Sequence, residues 1–441
     1  MMTKAYYWLI ILAFVMVFSY ITIDVYTINT VDYYRVINTF IDISQKPFKP
    51  FDPSMTLSAP FKEKFDNIDS IPYASSFTYL VYIYALIASK LTNTFSLIEL
   101  SFIWKGLFVC SIIYLVRCIG LFGKSLFITS FLSIALLSST SNLAFFESLY
   151  QESVWLYCLP VISGYLIKKD KTPFDHMVFS LSLLIGACSK SQFFYIPTIF
   201  TFVFLLFKKF DGKYYVLISC VITQCLSIYC IGMSEKATNY NKYHAAYLGA
   251  YAIASSNGIK LDGVDTDCIG VDSWGNKYDA SLGAVATKIG RKCYERNRHI
   301  TFKDSLSVYL KHPFLLLNIP FDFGVLDQFK YNYFHVYKRI KLSHGGNHFS
   351  DTIDSVKDLI PGILKVAIPL LLTIFVIFKL RDLAAAFIFL SILFYSQIYI
   401  SFLGEGYRDL SKHLFLSNLC FDIMVVLLVI YSIKLMKKAP K

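Results

Sequence analysis

The sequence has little charge and therefore little material for a polar surface. Of its 441 residues only 16% are Asp, Glu, Lys or Arg, whereas 56% are apolar, and the mean hydropathy is +0.53. This excludes an ordinary water-soluble globular protein, for which a charged share of about a quarter is typical. The apolar residues recur in separated runs, which excludes a soluble domain on a single anchor. The composition predicts a polytopic membrane protein.

Other features are missing as well. The first apolar run, residues 5–23, is not followed by a small-residue cleavage site, so we expect a retained helix and not a removed signal peptide. The sequence has no Gly-rich loop of the phosphate-cradling type, and we detect no internal repeat of helices such as many transporters contain. The excess of 42 Lys and Arg over 30 Asp and Glu is expected in cytoplasmic loops and does not indicate nucleic-acid binding.

The basic residues predict the topology. Residues 24–72 are too polar to cross a membrane and form an outer loop. If segment 73–91 crossed, the later basic clusters would face outward; if this Ser- and Tyr-rich segment is interfacial or re-entrant, they all face inward, which we expect. These inner clusters include Lys168–Lys169 and Lys208–Lys209. The predicted crossings are residues 5–23, 97–116, 125–140, 154–167, 177–187, 193–207, 214–233, 359–378, 383–402 and 413–435.

The expected fold is an all-α bundle of about ten transmembrane helices with two large outer loops and both termini inside. Residues 1–233 form an N-terminal membrane bundle that includes outer loop 24–96, and residues 359–441 form the C-terminal helices. Between them, residues 234–358 are too long for a simple connection and suggest a small folded domain. Of the ten cysteines only Cys268 and Cys293 lie in this loop, where an oxidising compartment favours a disulfide between them.

Charged side chains gather at three outer places. Just after the first helix, Asp32 could act as a general base and Arg35 could contact a phosphate, although charges that flank helices often only stay solvated. The turn before residue 154 contains Glu147, Tyr150 and Glu152. Its two carboxylates are too far out of phase for one helical face, so the turn must bend if both serve one site; capping the next helix is the alternative.

The third place is the stretch 404–413, which precedes the last apolar run. Arg408, Lys412 and His413, together with the start of a helix, would make an anion pocket beside Glu405 and Asp409. The alternative is that Asp409 caps the helix and the basic residues anchor it at the interface.

A few charged residues outside these three places are weaker candidates for a functional role. Lys190, in a short outer turn, could contact an anionic lipid group or simply extend to the interface. Lys105 falls within a crossing, where an ionisable group is a functional candidate, but its partner is not identifiable from the sequence. Asp265 and Asp267 have a spacing that can hold a divalent cation, although such pairs recur by chance.

Three stretches, residues 29–35, 146–152 and 404–416, together with the helix order resemble the GT-C superfamily of integral-membrane glycosyltransferases. Within it they are similar to bacterial surface-glycan hexosyltransferases and to serotype-converting O-antigen glucosyltransferases. The resemblance implies a bacterial inner-membrane enzyme with a periplasmic site. It also implies a polyprenyl-phosphate-linked hexose as donor, with glucose as the expected sugar, a glycan as acceptor and no cofactor. The aromatic-rich loop 234–358 would hold the acceptor, because sugar faces stack on aromatic rings.

The resemblance and the charges together assign roles for an inverting displacement. Asp32 is the expected base. The other expected catalytic residues are Glu152 and Glu147; the donor-phosphate ligands are Arg35, Arg408, Lys412, His413 and Lys190; and the orienting residues are Asp409, Glu405 and Tyr150. Two alternatives share the lipid-linked substrates: a flippase or transporter, and an outer-face glycan polymerase or ligase.

Overall fold

The computed structural model describes residues 4–28, 31–42, 58–207, 213–234, 239–279, 281–330 and 343–438, which are mostly helical. Residues 29 and 30 of the first motif and the predicted inner turn at Lys208–Lys209 lie outside the described residues. The α-helices are α1 Lys4–Ile21, α2 Tyr34–Ile37, α3 Ser76–Ala88, α4 Leu97–Cys118, α5 Lys124–Leu137, α6 Thr140–Ala144, α7 Trp155–Ile167, α8 Pro173–Ala187, α9 Ile196–Leu206, α10 Lys213–Met233, α11 Asn239–His244, α12 Tyr251–Ser256, α13 Lys292–Arg296, α14 Phe302–Lys311, α15 Pro313–Asn318, α16 Phe323–Leu326, α17 His348–Asp358, α18 Gly362–Lys379, α19 Ala384–Glu405, α20 Leu410–His413 and α21 Phe415–Lys438.

Strands are short and form three antiparallel pairs within the described residues. They are β1 Tyr26–Thr27, β2 Ser58–Pro60, β3 Thr94–Ser96, β4 Asn276–Asp279, β5 Gly283–Ala286 and β6 Ser343–His344, paired as β1–β6, β2–β3 and β4–β5. A π-helix, Ala245–Ala250, joins α11 to α12. The core lies around α7, which is buried along its whole length and packs against α4, α8 and α19.

The helical membrane character expected from the composition is confirmed. Within the described part of the chain, five helices are long and apolar enough to cross a membrane: Leu97–Cys118, Tyr214–Met233, Gly362–Lys379, Arg381–Glu405 and Phe415–Lys437. Shorter apolar helices also lie over the remaining predicted crossings. Several ends differ from the prediction. For example, α8 begins four residues earlier, because Thr172 and Asp175 form a capping box around Pro173.

Contacts between turns define two ends of the bundle. At one end, which we call the basic end, Lys169 Nζ lies 3.0 Å from Asp382 Oδ1, so the turn after α7 meets the turn before α19. The turn after α4 joins them, since Gly120 lies beside the Lys434 side chain of α21. The end of α19 and the start of α21 are therefore at the opposite end, which we call the site end.

Helix α3 stays at the site end. The backbone N–H of Ser76 donates to the carbonyl of Cys188 at 2.9 Å, at the end of α8, and the chain after α3 leads through β3 into the start of α4. The prediction that segment 73–91 is interfacial or re-entrant rather than crossing stays a prediction, and this geometry favours it.

The described residues of the long loop 234–358, which we call the loop domain, form helices and a hairpin that pack on the site end. The structure joins Cys268 and Cys293 in a disulfide across 25 residues. The π-helix packs directly on the turn after α19, where the backbone N–H of Tyr407 donates to the Leu248 carbonyl at 3.0 Å. Gly406 has a φ of +62° there, and a side chain on it would collide with the Leu248 backbone.

Helix α17 docks on α6 through a buried carboxylate. Asp354 Oδ2 accepts hydrogen bonds from the backbone N–H and the hydroxyl of Ser141, at 2.9 and 3.0 Å, whereas Oδ1 has no hydrogen-bond partner among the described residues. Burial raises the pKa of Asp354 to about 6, and the hydrogen bonds from Ser141 only partly oppose it.

This carboxylate predicts a loss of stability with rising pH. The pKa of Asp354 in the folded protein lies above the usual value of about 4, so the free energy of unfolding falls as the pH rises from 4 to 6. Above pH 6 the loss reaches about 3 kcal/mol. Asp354→Asn should remove most of this pH dependence in unfolding temperatures recorded in detergent from pH 4.5 to 7.5. Asp351→Asn, on the same helix, is the control, and an unchanged slope in Asp354→Asn would contradict the assignment.

Candidate functional site

Charged side chains from distant parts of the chain meet at the site end. We call this set the ion-pair cluster; its members are Asp32, Arg35, Glu152, Lys190, Glu405, Lys412 and His413. All of them were predicted as site residues from the sequence. They come from the segment after α1, the turn before α7, the turn between α8 and α9, the end of α19 and the single turn α20.

The first half of the cluster is centred on Asp32, in the 3-10 turn after α1. Its Oδ2 accepts a hydrogen bond from Lys412 Nζ at 2.9 Å, although 380 residues separate the two. Its Oδ1 lies 3.2 Å from Arg35 Nη1. The side chains of Asp32 and Arg35 are 28% and 36% exposed, whereas that of Lys412 is 4% exposed. The cluster therefore opens to its surroundings on the Asp32–Arg35 side.

The second half is more deeply buried. Lys190 Nζ donates to Glu152 Oε1 at 2.6 Å, and Glu152 is 1% exposed. His413 bridges the two carboxylates, with Nδ1 3.8 Å from Glu152 Oε1 and Nε2 3.4 Å from Glu405 Oε2. Asn241 of the loop domain donates to the other oxygen of Glu405 at 2.9 Å. This half thus connects the bundle to the loop domain.

The backbone of the turn after α19 sends neighbouring side chains in different directions. Asp409 has a left-handed φ of +48°, an uncommon conformation for a residue other than glycine. Its carbonyl accepts hydrogen bonds from the backbone N–H groups of Lys412 and His413. The last long helix was expected to start at His413; in the structure the single turn α20 ends there, and α21 begins two residues later at Phe415.

The charges in the cluster hold one another ionised. Burial opposes the ionisation of Asp32, but the cations of Lys412, Arg35 and Lys190 outweigh it and hold the pKa of this carboxyl well below its usual range. The same balance, with Lys190 as the largest opposing charge, lowers the pKa of Glu152. Burial would lower the pKa of Lys412, yet the carboxylates, Asp32 first, raise it. Removing any one charge should therefore shift the pKa values of the others.

Arg408 does not join the ion-pair cluster. Its buried guanidinium pairs with Asp272, which is also buried, and stacks 4.6 Å from the ring centre of Trp274. Asp409 Oδ1 lies 3.5 Å from Arg408 Nε, so this predicted orienting residue faces the same pair. In this position the arginine ties the loop domain to the turn after α19, and its expected contact with a phosphate stays a prediction. Nothing in the sequence around Asp272 indicated this partner.

Glu147 also lies elsewhere. It forms an ion pair of 2.7 Å with Lys105 Nζ, and both side chains have no exposure. Lys105 donates in addition to the carbonyl of Thr22 at the end of α1, at 2.8 Å. Glu147 and Glu152 thus serve separate places, and Glu147 is the partner that the sequence did not reveal for the intramembrane lysine. Burial raises the pKa of Glu147, against the opposing effect of Lys105.

Tyr150 supports the cluster without joining the ion pairs. Its hydroxyl donates to the Ile28 carbonyl at 2.9 Å, and its ring packs edge-on against Tyr33 with 5.2 Å between ring centres. Lys412 Nζ lies 5.3 Å from the centre of the Tyr150 ring. The tyrosine therefore fixes the segment that carries Asp32 relative to Lys412, a positioning role close to the predicted orienting one.

Metal ligands do not assemble in the part of the chain that the structure describes. No three or more His, Cys, Asp or Glu side chains come together there as a coordination shell requires. Asp265, one of the two aspartates considered as ligands of a divalent cation, pairs with an arginine, with 2.7 Å between its Oδ2 and Arg296 Nη2.

A small cleft leads from the bundle surface to Lys190. It is lined by Tyr73 and Ala74 before α3, by Cys188 after α8, and by Ser227 and Cys230 of α10. Many large apolar side chains of α10 are exposed, as expected of a helix that faces lipid. Lys190 thus lines a small cleft together with residues of α10, whose outer face is apolar.

Comparison with known proteins shows a relative of the same length. The chain is 34% identical over 443 residues to the uncharacterized protein YfdI of Escherichia coli (strain K12), and the match covers 98% of this chain and 97% of the relative. The chain belongs to the YfdI family. The family model described as the YfdI N-terminal transmembrane domain matches residues 320–440, which include the turn after α19 and the last three long helices of this YfdI-family protein. No solved structure matches the chain.

Proposed function

We propose that this YfdI-family protein is a GT-C-type membrane glycosyltransferase that transfers a hexose from a polyprenyl-phosphate donor to a glycan acceptor such as O-antigen. The observation that carries the proposal is the ion-pair cluster itself. It places three cations and a partly exposed carboxylate side by side at one end of a membrane bundle. Such a set suits a reaction in which a phosphate leaves while a hydroxyl loses its proton.

The proposed topology follows from the two ends of the bundle. The ten helices that cover the predicted crossings, α1, α4, α5, α7–α10, α18, α19 and α21, cross in alternating directions, and α3 does not cross. The basic end then faces the cytoplasm with both termini, as the positive-inside bias favours. The site end and the loop domain face the periplasm of a bacterial inner membrane.

The cations are proposed to hold the donor phosphate. Arg35, Lys190 and Lys412 each contact a carboxylate in the structure, so the cluster is close to neutral before a substrate arrives. A phosphate can take over these cationic partners, because guanidinium and ammonium groups form strong charge-assisted hydrogen bonds with it. The lipid chain of the donor would lie along the exposed apolar side chains of α10, near Lys190.

Binding of the phosphate would also prepare the base. In the structure Asp32 is a weak base, because Lys412 and Arg35 lower its pKa. When these cations turn to the phosphate, the pKa of Asp32 rises and the carboxylate can accept the proton of the acceptor hydroxyl. The acceptor oxygen then bonds to the anomeric carbon as the bond from that carbon to the phosphate oxygen breaks. Polyprenyl phosphate leaves with the electron pair, and the configuration inverts.

A donor assay tests the class of activity. The purified protein in lipid vesicles should transfer labelled hexose from polyprenyl-phosphate glucose to a soluble O-antigen acceptor, and release polyprenyl phosphate in equal amount. A nucleotide sugar in place of the lipid donor should give no product. Movement of the lipid-linked sugar across the vesicle membrane without transfer would indicate a flippase, and transfer of whole glycan chains a polymerase or ligase; either result would replace the proposal.

A further inference from the structure

An apolar surface that no described residue of the protein covers runs along the loop domain. Helices α14–α16 expose large apolar side chains over consecutive turns, and the most exposed are Leu310 at 74%, Leu317 at 70% and Phe323 at 89%. The others in the same stretch are Phe302, Leu306, Phe314 and Phe321. We call this set the apolar stripe. A continuous surface of this kind on a folded domain indicates a binding face.

The opposite face of this stretch is fixed to the rest of the protein. Val308 and Tyr309 of α14 are buried, and α14 packs on the π-helix. The stripe is therefore not a core that has failed to close. Exposed lysines, Lys303 and Lys311, lie at the two ends of α14 next to the apolar side chains. Apolar residues bordered by lysines are typical of helices that lie in a membrane interface.

The position of the stripe identifies its partner. Gly362, at the start of the candidate membrane span α18, lies against the backbone of Leu326 at the end of α16, where any side chain would collide. One turn further, Lys365 Nζ donates to the Phe329 carbonyl at 2.6 Å. The stripe thus ends at the level where α18 begins. Large apolar side chains around the start of α18 are exposed as well: Leu359, Ile363 and Leu364.

We propose that the apolar stripe of α14–α16 lies in the lipid–water interface at the site end, with its apolar side chains among the lipid acyl chains. The segment also holds the turn after α19. Asp322, which caps α16, accepts a hydrogen bond from the Tyr407 hydroxyl at 2.8 Å, and Gly324 packs beneath the Tyr407 ring. The bilayer therefore sets the height of the turn that carries Lys412 and His413.

Depth-dependent quenching tests this placement. A fluorescent amino acid is introduced at position 317 or 323 by stop-codon suppression, and the full chain is placed in nanodiscs of phosphatidylethanolamine and phosphatidylglycerol. Lipids with a nitroxide near the headgroup should quench both sites at least about twofold, and aqueous iodide should quench them weakly. The control site is Leu282, which is 45% exposed in the hairpin turn beside the polar residues Asp279 and Ser281; there iodide should be the stronger quencher.

The result can also reject the proposal. Strong iodide quenching at positions 317 and 323, equal to that at 282, would place the stripe in water. Protection from iodide without nitroxide quenching would mean that protein covers the stripe, and its dependence on the number of copies per nanodisc would identify a second copy. Because the readout uses no substrate, it is independent of the transferase activity.

Discussion

Asp32→Asn should lower the rate of hexose transfer at least about 100-fold, because loss of a positioned general base typically costs two to four orders of magnitude. Asn has nearly the shape of Asp, and its amide oxygen can still accept the hydrogen bond that Lys412 donates at 2.9 Å. The side chain is also 28% exposed, so the fold should survive the change. Initial rates at saturating donor and acceptor measure the effect, with the unfolding temperature as the check on folding.

The matched control is Asp69→Asn, an exposed aspartate of the same outer loop, which should leave the rate unchanged within about twofold. A further readout separates a base from a merely structural carboxylate. In Lys412→Gln the main cation next to Asp32 is gone, so the pKa of Asp32 in the free enzyme rises, and the acid limb of the pH profile of kcat/KM should move to higher pH. A folded Asp32→Asn variant that retains wild-type rates would remove Asp32 from the role of base.

Much of the ion-pair cluster was predictable because topology brings helix ends together. Once the crossings alternate, the segment after α1, the turn before α7 and the turn after α19 must share one end of the bundle. Asp32, Glu152 and Lys412 follow from that argument alone, since each lies within about ten residues of an apolar run. Lys190 follows in the same way from the short turn between α8 and α9, and the structure pairs it with Glu152.

The direction of individual side chains was not predictable. Arg408 and Lys412 are four residues apart and both are cationic. Arg408 nevertheless pairs with Asp272 of the loop domain, whereas Lys412 pairs with Asp32. The difference arises from the left-handed backbone at Asp409, which a regular helix pattern does not contain. The end of the predicted crossing 125–140 also differs from the structure because of local hydrogen bonding. Ser139 caps α6 by accepting from the backbone N–H of Asn142, which separates α6 from the apolar run that ends at Leu137.

The Lys105–Glu147 pair predicts the largest effect on stability. Neither side chain has any exposure, so removal of one partner leaves the other charge buried without compensation, at a cost of about 3–5 kcal/mol. Lys105→Met and Glu147→Leu should each lower the unfolding temperature of the detergent-solubilised protein strongly. The double variant should recover most of the loss, because two apolar side chains of similar volume need no charge partner.

An exposed ion pair of the same length provides the comparison. Lys62 and Asp66 also approach to 2.7 Å, but their side chains are 26% and 45% exposed, so Lys62→Met should cost less than about 1 kcal/mol. Because the two ion pairs have the same N–O distance, a difference in the loss of stability is due to burial. Equal losses in Lys105→Met and Lys62→Met would contradict this explanation. If the double variant were no more stable than the single ones, the fold would need the pair itself, because it links Thr22 to the turn before α7. Transfer activity should then fall together with stability.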